Sequence, residues 1–272
     1  LQKILKGKII ADKIIDELKR KSPKRCLGII KVGLDPGSSS YLKAIKRNAE
    51  KVDIKLQLSE LSDNAKKNEI IGSIKKMRDS KKVNGILLME PLTKEASIDE
   101  LIEIVGQEFD VEGIHPYNMG KLLLGEPTII PSTPGAVLEL IKFYGIKTDG
   151  AHTVIIGRSK VVGKPLSNLL LRKVPSGNAT VTVCHSKTKN IKEITKTADI
   201  LIAAIGKAEF VNSEFIKEDV IIIDVGINMK DNNLVGDVHF ESAVEKALAI
   251  TPVPGGVGSI TTACLLSNLY KL

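Results

Sequence analysis

The chain has 272 residues, a formal net charge of +8, and 43% hydrophobic against 26% charged residues. That balance excludes disordered and fibrous classes and, at about 150 residues per domain, suggests two domains with cores large enough to need no disulfide or metal. The basic excess suits an anionic ligand, but aromatic residues are only 3% with no Trp, too few for a base-stacking platform, so nucleic acid is not an expected partner. No apolar run approaches the ~20 residues of a membrane span, and no charged leader followed by an apolar stretch opens the chain. Cys26, Cys184 and Cys264 are far apart without Cys-x-x-Cys spacing, and the histidines are scattered. This pattern implies a reduced, cytoplasmic compartment and no metal site.

Apolar periodicity predicts a helix over residues 7–21, and Cys26–Val32 reads as a short buried strand. Asp35-Pro36-Gly37-Ser38-Ser39-Ser40 is expected to be a loop whose serines cap a helix running from about Tyr41 to Val52. A strand at 54–58, a helix at 68–76 and a strand Gly85–Met89 follow, and this alternation indicates α/β architecture with a mainly parallel sheet. A second block opens near Pro131, with Thr133 capping and Pro134 starting a helix from Gly135 to Tyr144. Beyond it lie the strand at 153–156, a glycine-containing turn and helix, and the strand Thr180–Cys184. Two later strands, ending at Ala204 and Asp224, each run into a Gly-bearing loop.

The turn Gly157-Arg158-Ser159 through Gly163 lets backbone amides approach a pyrophosphate at the positive end of the next helix. Its spacing is Gly-x5-Gly rather than Gly-x-Gly-x-x-Gly, so by itself it is equally compatible with any tight α/β turn. The end of the second strand discriminates further. An NAD site usually carries a carboxylate there, whereas this chain has His185, Ser186 and Lys187, with Arg158 in the turn. Hydroxyl and cationic groups favour the 2′-phosphate of NADP. A lone histidine such as His115 is more often structural than catalytic. The segment from Thr251 to Gly258 sets two prolines beside three glycines, which suits close backbone approach to a ligand.

Tyr41, Gly157-Arg158-Ser159 with Val162-Gly163-Lys164-Pro165, Asp224-Val225-Gly226-Ile227-Asn228, Gly236-Asp237-Val238 and Thr251–Gly258 stand in an order that closely resembles the methylenetetrahydrofolate dehydrogenase/methenyltetrahydrofolate cyclohydrolase family. The resemblance covers essentially the whole chain. It implies an N-terminal folate-binding catalytic domain (1–132 plus 259–272) facing a Rossmann-like NADP-binding domain (133–258) across a cleft, in a homodimer. It further implies cofactor contacts from Gly157, Arg158, Ser159, Gly163, His185, Ser186, Lys187, Gly206, Gly226 and Ile227. Substrate contacts are implied from Tyr41, Glu112, Pro254, Gly255 and Gly256. The implied activity is NADP-dependent oxidation of 5,10-methylenetetrahydrofolate, usually coupled in the family to hydrolysis of the methenyl product to 10-formyltetrahydrofolate.

The chain departs from the family at the hydrolytic step. The family carries its catalytic Lys four residues after the Tyr, and that position is Ile45; the Gln that supports the Lys is Met89. At ~100° per residue Ile45 sits about 40° from Tyr41, while Lys43 and Lys46 sit about 160° and 140° away, so neither replaces the amine on that helix face. The pterin-binding Asp of the family is Glu112. The newcomer Glu90 is expected to point away from the Met89 face by strand alternation. The expectation is a dehydrogenase with cyclohydrolase activity weak, absent or run by another group. The alternatives are a dehydrogenase for another pterin carrier and a non-catalytic NADP- or folate-binding protein.

Overall fold

In the computed structural model, which describes residues 3–231 and 233–272, strand and helix alternate through most of the chain. The elements are α1 (Lys8–Lys19), β1 (Cys26–Val32), α2 (Pro36–Lys51), β2 (Lys55–Leu61), α3 (Lys67–Asp79), β3 (Gly85–Met89), α4 (Ile98–Val105), α5 (Pro116–Leu123) and α6 (Ser132–Phe143). Then come β4 (His152–Ile156), α7 (Gly163–Leu171), β5 (Thr180–Cys184), α8 (Ile191–Thr195), β6 (Ile200–Ala203) and β7 (Ile221–Asp224). The hairpin β8 (Asn228–Lys230) and β9 (Asn233–Val235), α9 (Phe240–Val244), β10 (Ala249–Ile250) and α10 (Val257–Asn268) complete the chain.

Two compact units result, one formed by Lys13–Ser132 with Thr262–Leu272 and the other by the residues up to Asp12 with Thr133–Thr261. The opening residues therefore belong with the second block, not with the first as their place in the sequence suggests. Backbone pairing is the reason. Ile4 bridges Ile250 in parallel, the Leu5 amide donates to the Ile250 carbonyl at 2.9 Å, and the Gly7 amide donates to the Gly255 carbonyl at 2.8 Å. The division falls inside α10 rather than after Gly258.

The first unit holds a parallel sheet in the order β2-β1-β3. Central β1 is buried along nearly its whole length, as its mostly apolar run, interrupted only by Lys31, requires of a strand covered on both faces. Ile30, Val32, Ile86 and Leu88 face one way, against Ile70, Ile74 and Met77 of α3 and Leu101 and Val105 of α4. The opposite face meets the C-terminal segment: a Cβ on Gly85 would lie 2.8 Å from Leu269. Asn48 of α2 donates to the Thr262 hydroxyl at 2.8 Å, and Asn268 donates to the carbonyls of Val111 (3.0 Å) and Ile130 (2.9 Å). Helix α2 begins at Pro36 rather than Tyr41, because Asp35 is the better cap. Its carboxylate accepts from the Ser38 amide at 2.7 Å, and proline's fixed φ suits the first turn. Helix α6 likewise starts at Ser132, ahead of the expected Thr133 cap.

The second unit holds five parallel strands in the order β10-β7-β6-β4-β5. From β4 the chain moves outward to β5 and then crosses back to β6 on the other side. The carboxyl ends of β4 and β6 therefore bound a topological switch point, where open α/β sheets place ligands. Val154, Ile156, Leu201, Ala203 and Ile222 pack with Val211, Phe215 and Ala243 on one face of this sheet.

Asn268→Ala would strand the buried Val111 carbonyl and the part-buried Ile130 carbonyl. It is expected to lower unfolding free energy by about 1–3 kcal/mol, read as a reduced urea midpoint at unchanged slope.

Candidate functional site

At the switch point, Gly157 follows β4 with φ +134°. A Cβ there would collide with the Ala204 carbonyl of the neighbouring strand end, and one on Gly163 would collide with the Gly157 carbonyl. Glycine is thus required at both places for β4, the β6 exit and the start of α7 to converge. The Ser159 hydroxyl accepts from the Val162 amide at 3.1 Å and shapes the turn, while Arg158 and Ser159 remain exposed. After β5, the His185 amide donates to the Thr188 hydroxyl at 2.8 Å, and the Lys187 amide donates to His185 Nδ1 at 3.1 Å. This tight turn leaves Ser186 and Lys187 exposed, with no carboxylate between them.

Two buried aspartates join the remaining loops at this end of the sheet. Asp237 accepts from the amides of Ile205 (2.6 Å), Gly206 (3.0 Å) and Lys207 (2.9 Å) and from the Asn228 side chain (2.9 Å). Asp224 accepts from the amides of Gly226 (2.9 Å), Asp237 (3.0 Å) and Val238 (2.9 Å), and its own amide donates to the Thr251 hydroxyl at 2.7 Å. Burial pushes the Asp224 carboxyl up to about 7 against the pull of those amides, the Asp237 charge adding to the rise. Gly226 and Gly236 leave room for these carboxylates, which a Cβ at either would strike. Gly206 and Gly226 are thereby fixed through Asp237 and Asp224, which motif reading quoted without assigning a role. In the same unit Gly255 has φ +103°, and the methyl end of Ile227 lies 3.0 Å from where a Gly258 Cβ would stand.

Tyr41, Ile45, Met89 and Glu112 all fall in the other unit. Ile45 is 0% and Met89 3% exposed, so neither position offers a polar group. Burial raises the Tyr41 hydroxyl well above its ordinary range, with the Glu112 charge and Cys264 adding to it; Tyr41 is a standing donor. Burial likewise raises the Glu112 carboxyl to about 8, reinforced by the charges of Asp110 and then Glu90. β3 ends at Met89, so strand alternation does not extend to Glu90, which is exposed. Asp110 is fully buried and accepts from the His115 amide at 2.8 Å and from Asn118 at 2.7 Å. His115 caps α5, its Nδ1 accepting from the Tyr117 amide at 3.1 Å, and pairs with Glu103 at 3.3 Å, a structural role. No group of three or more His, Cys, Asp or Glu that could hold a metal ion occurs among the described residues.

The family model described as tetrahydrofolate dehydrogenase/cyclohydrolase, catalytic domain, matches residues 5–112. Its NAD(P)-binding domain counterpart matches residues 131–272. The bifunctional protein FolD of Agathobacter rectalis is 44% identical, covering 98% of this chain and 98% of its own. Among solved structures, the bifunctional FolD of Campylobacter jejuni is 40% identical with a TM-score of 0.92, covering 98% of this chain and 97% of that one. The methylenetetrahydrofolate dehydrogenase-cyclohydrolase of Trypanosoma brucei, solved with NADP cofactor and inhibitor, is 30% identical with a TM-score of 0.91 over 98% and 96% of the two chains.

Because folding lifts the Glu112 carboxyl from its ordinary 4.5 to about 8, its stability contribution is whole below 4.5 and is lost as pH rises through 8. Between pH 5 and pH 8.5 the wild type is expected to lose roughly one to a few kcal/mol relative to Glu112→Gln. Parallel denaturation curves for the two proteins would show a shared pH trend if the carboxyl titrates normally.

Proposed function

Because the chain belongs to the tetrahydrofolate dehydrogenase/cyclohydrolase family, we propose that it oxidises 5,10-methylenetetrahydrofolate to 5,10-methenyltetrahydrofolate with NADP as acceptor. The unit holding β1–β3 is the folate-binding one, and the unit holding β4–β7 is the cofactor-binding one. The observation that carries this reading is the glycine-tight turn between β4 and α7, retained together with hydroxyl and cationic groups after β5. Gly157 and Gly163 let β4, the β6 exit and the start of α7 converge, which brings the amino end of α7 to the switch point, where a pyrophosphate binds. Arg158, Ser186 and Lys187 suit the 2′-phosphate, in keeping with the NADP held by the Trypanosoma brucei relative.

When bound, NADP supplies the acceptor for the hydride that leaves the methylene bridge. The chain's own task is positioning and exclusion of water, which convert the encounter of two bound reactants into an effectively unimolecular step. Tyr41 contributes a hydroxyl that stays protonated. Glu112 offers the pterin ring a carboxyl that is neutral below about 8 and so both donates and accepts. Hydrolysis of the methenyl product requires proton transfers, and neither Ile45 nor Met89 can take part in one. Hydrolysis is therefore slower than oxidation. The same proposal includes a homodimer paired through the cofactor-binding unit, in the cytoplasm, where the free thiols Cys26, Cys184 and Cys264 stay reduced.

With methylenetetrahydrofolate and NADP, in buffer that slows spontaneous methenyl hydrolysis, NADPH and methenyltetrahydrofolate are expected to accumulate ahead of 10-formyltetrahydrofolate. Absence of NADPH would sink the dehydrogenase reading, and formyl product keeping pace with NADPH would sink the account of Ile45. Lys187→Ala is expected to raise the KM for NADP roughly tenfold, the loss of about 1.4 kcal/mol, while leaving that for NAD unchanged; equal rises for both would remove Lys187 from the phosphate site.

A further inference from the structure

Strand β1 carries one residue out of keeping with its apolar run. Lys31 is only 4% exposed, and its amine donates to the Gly33 carbonyl just beyond the strand's carboxyl end. Among the described residues no carboxylate forms an ion pair with it. The parallel register sets Lys31 directly beside Met89 of β3 on one flank and Glu60 of β2 on the other, and Glu60 is exposed. Ile30 and Val32 face α3 and α4 together with Ile86 and Leu88, so alternation turns Lys31 and Met89 to the opposite face. That face is the one Gly85 presents to Leu269. Helix α2 joins the same side through the Asn48–Thr262 bond, and Ile45 lies three residues before Asn48, on its side of the helix. Lys31, Met89 and Ile45 thus belong to one layer of one unit.

We propose that Lys31 supplies, from β1, the amine that position 45 lacks, and that its nitrogen carries the proton in residual methenyl hydrolysis. A buried polar group is retained against its desolvation cost only where something compensates it, and a single carbonyl engages only one of the amine's hydrogen-bonding positions. In the proposed step, water oxygen bonds to the methenyl carbon and one water proton passes to the Lys31 amine. The hydroxyl proton of the resulting carbinolamine then leaves to solvent as the C=O bond forms. The carbon–N5 bond breaks, and N5 takes the proton back from Lys31. The sum is methenyl cation plus water giving 10-formyltetrahydrofolate and one released proton, with no redox change.

This inference rests on the dehydrogenase reading, and one set of assays separates the two. NADPH formation tests that reading, while hydrolysis of supplied methenyltetrahydrofolate without NADP tests Lys31. Wild type is expected to hydrolyse above the buffer blank, and Lys31→Met to lose at least tenfold of that excess relative to its dehydrogenase rate. The relocated pair Lys31→Ile with Ile45→Lys is expected to recover hydrolysis. Lys31→Arg, which keeps a cation and donors but carries no transferable proton at neutral pH, is expected to fold, as read by its thermal midpoint, and to remain as slow as Lys31→Met. A wild type at the blank rate, an undiminished Lys31→Met, or a fully active Lys31→Arg would each overturn the assignment.

Discussion

The carboxylate pair Asp224–Asp237 is the constraint on which the cofactor-binding half depends. Parallel strands deliver their carboxyl ends to one edge of the sheet, but the loops that follow have no ladder to hold them. Here the loop after β6, the loop after β7 and the turn after β9 all spend their amides on these two side chains, and Thr251 joins through its hydroxyl. Hydrogen bonds to charged groups contribute about 1.5–3 kcal/mol each. In a buried setting the greater effect is on specificity, because any loop that moved would leave both a carboxylate and an amide unpaired. Two adjacent buried carboxylates repel each other. The convergence of amides is what makes the pair tolerable, and it also fixes Gly206 and Gly226 in place.

The folate-side unit shows the converse arrangement. The charges of Asp110 and Glu90 both reach Glu112, and Ile45 is a fully buried apolar residue of the same unit. Burial and these like charges act together on Glu112 and keep it protonated at neutral pH. In its neutral form the Glu112 carboxyl both donates and accepts, whereas an ionised one would only accept.

Much of this was legible from the residues in order. The spans of β1, β3 and β5 follow from short apolar runs between polar turns, and the glycine-bearing turn after β4 follows from what a strand-to-helix reversal needs. Helix periodicity alone established that no neighbouring lysine could stand in for Ile45 on α2. The start of α2 was misjudged because three serines resemble caps, although Asp35 followed by Pro36 is the stronger signal. The placement of the opening residues could not be read at all, since Ile4 pairs with Ile250, far away in the chain.

By itself, then, the sequence determined the α/β class, the nucleotide-binding turn, the family and the loss of the amine at position 45. Each of these lies within one helix turn, one strand or one contiguous motif, where local spacing and geometry suffice. Tertiary structure alone decided that Asp224 and Asp237 gather separate loops, that the N-terminal segment extends the far sheet, and that Lys31 stands beside Met89. Those facts depend on strand order and register. A one-residue slip in register would turn every side chain of a strand to the other face, and only packing of the whole core selects among the alternatives.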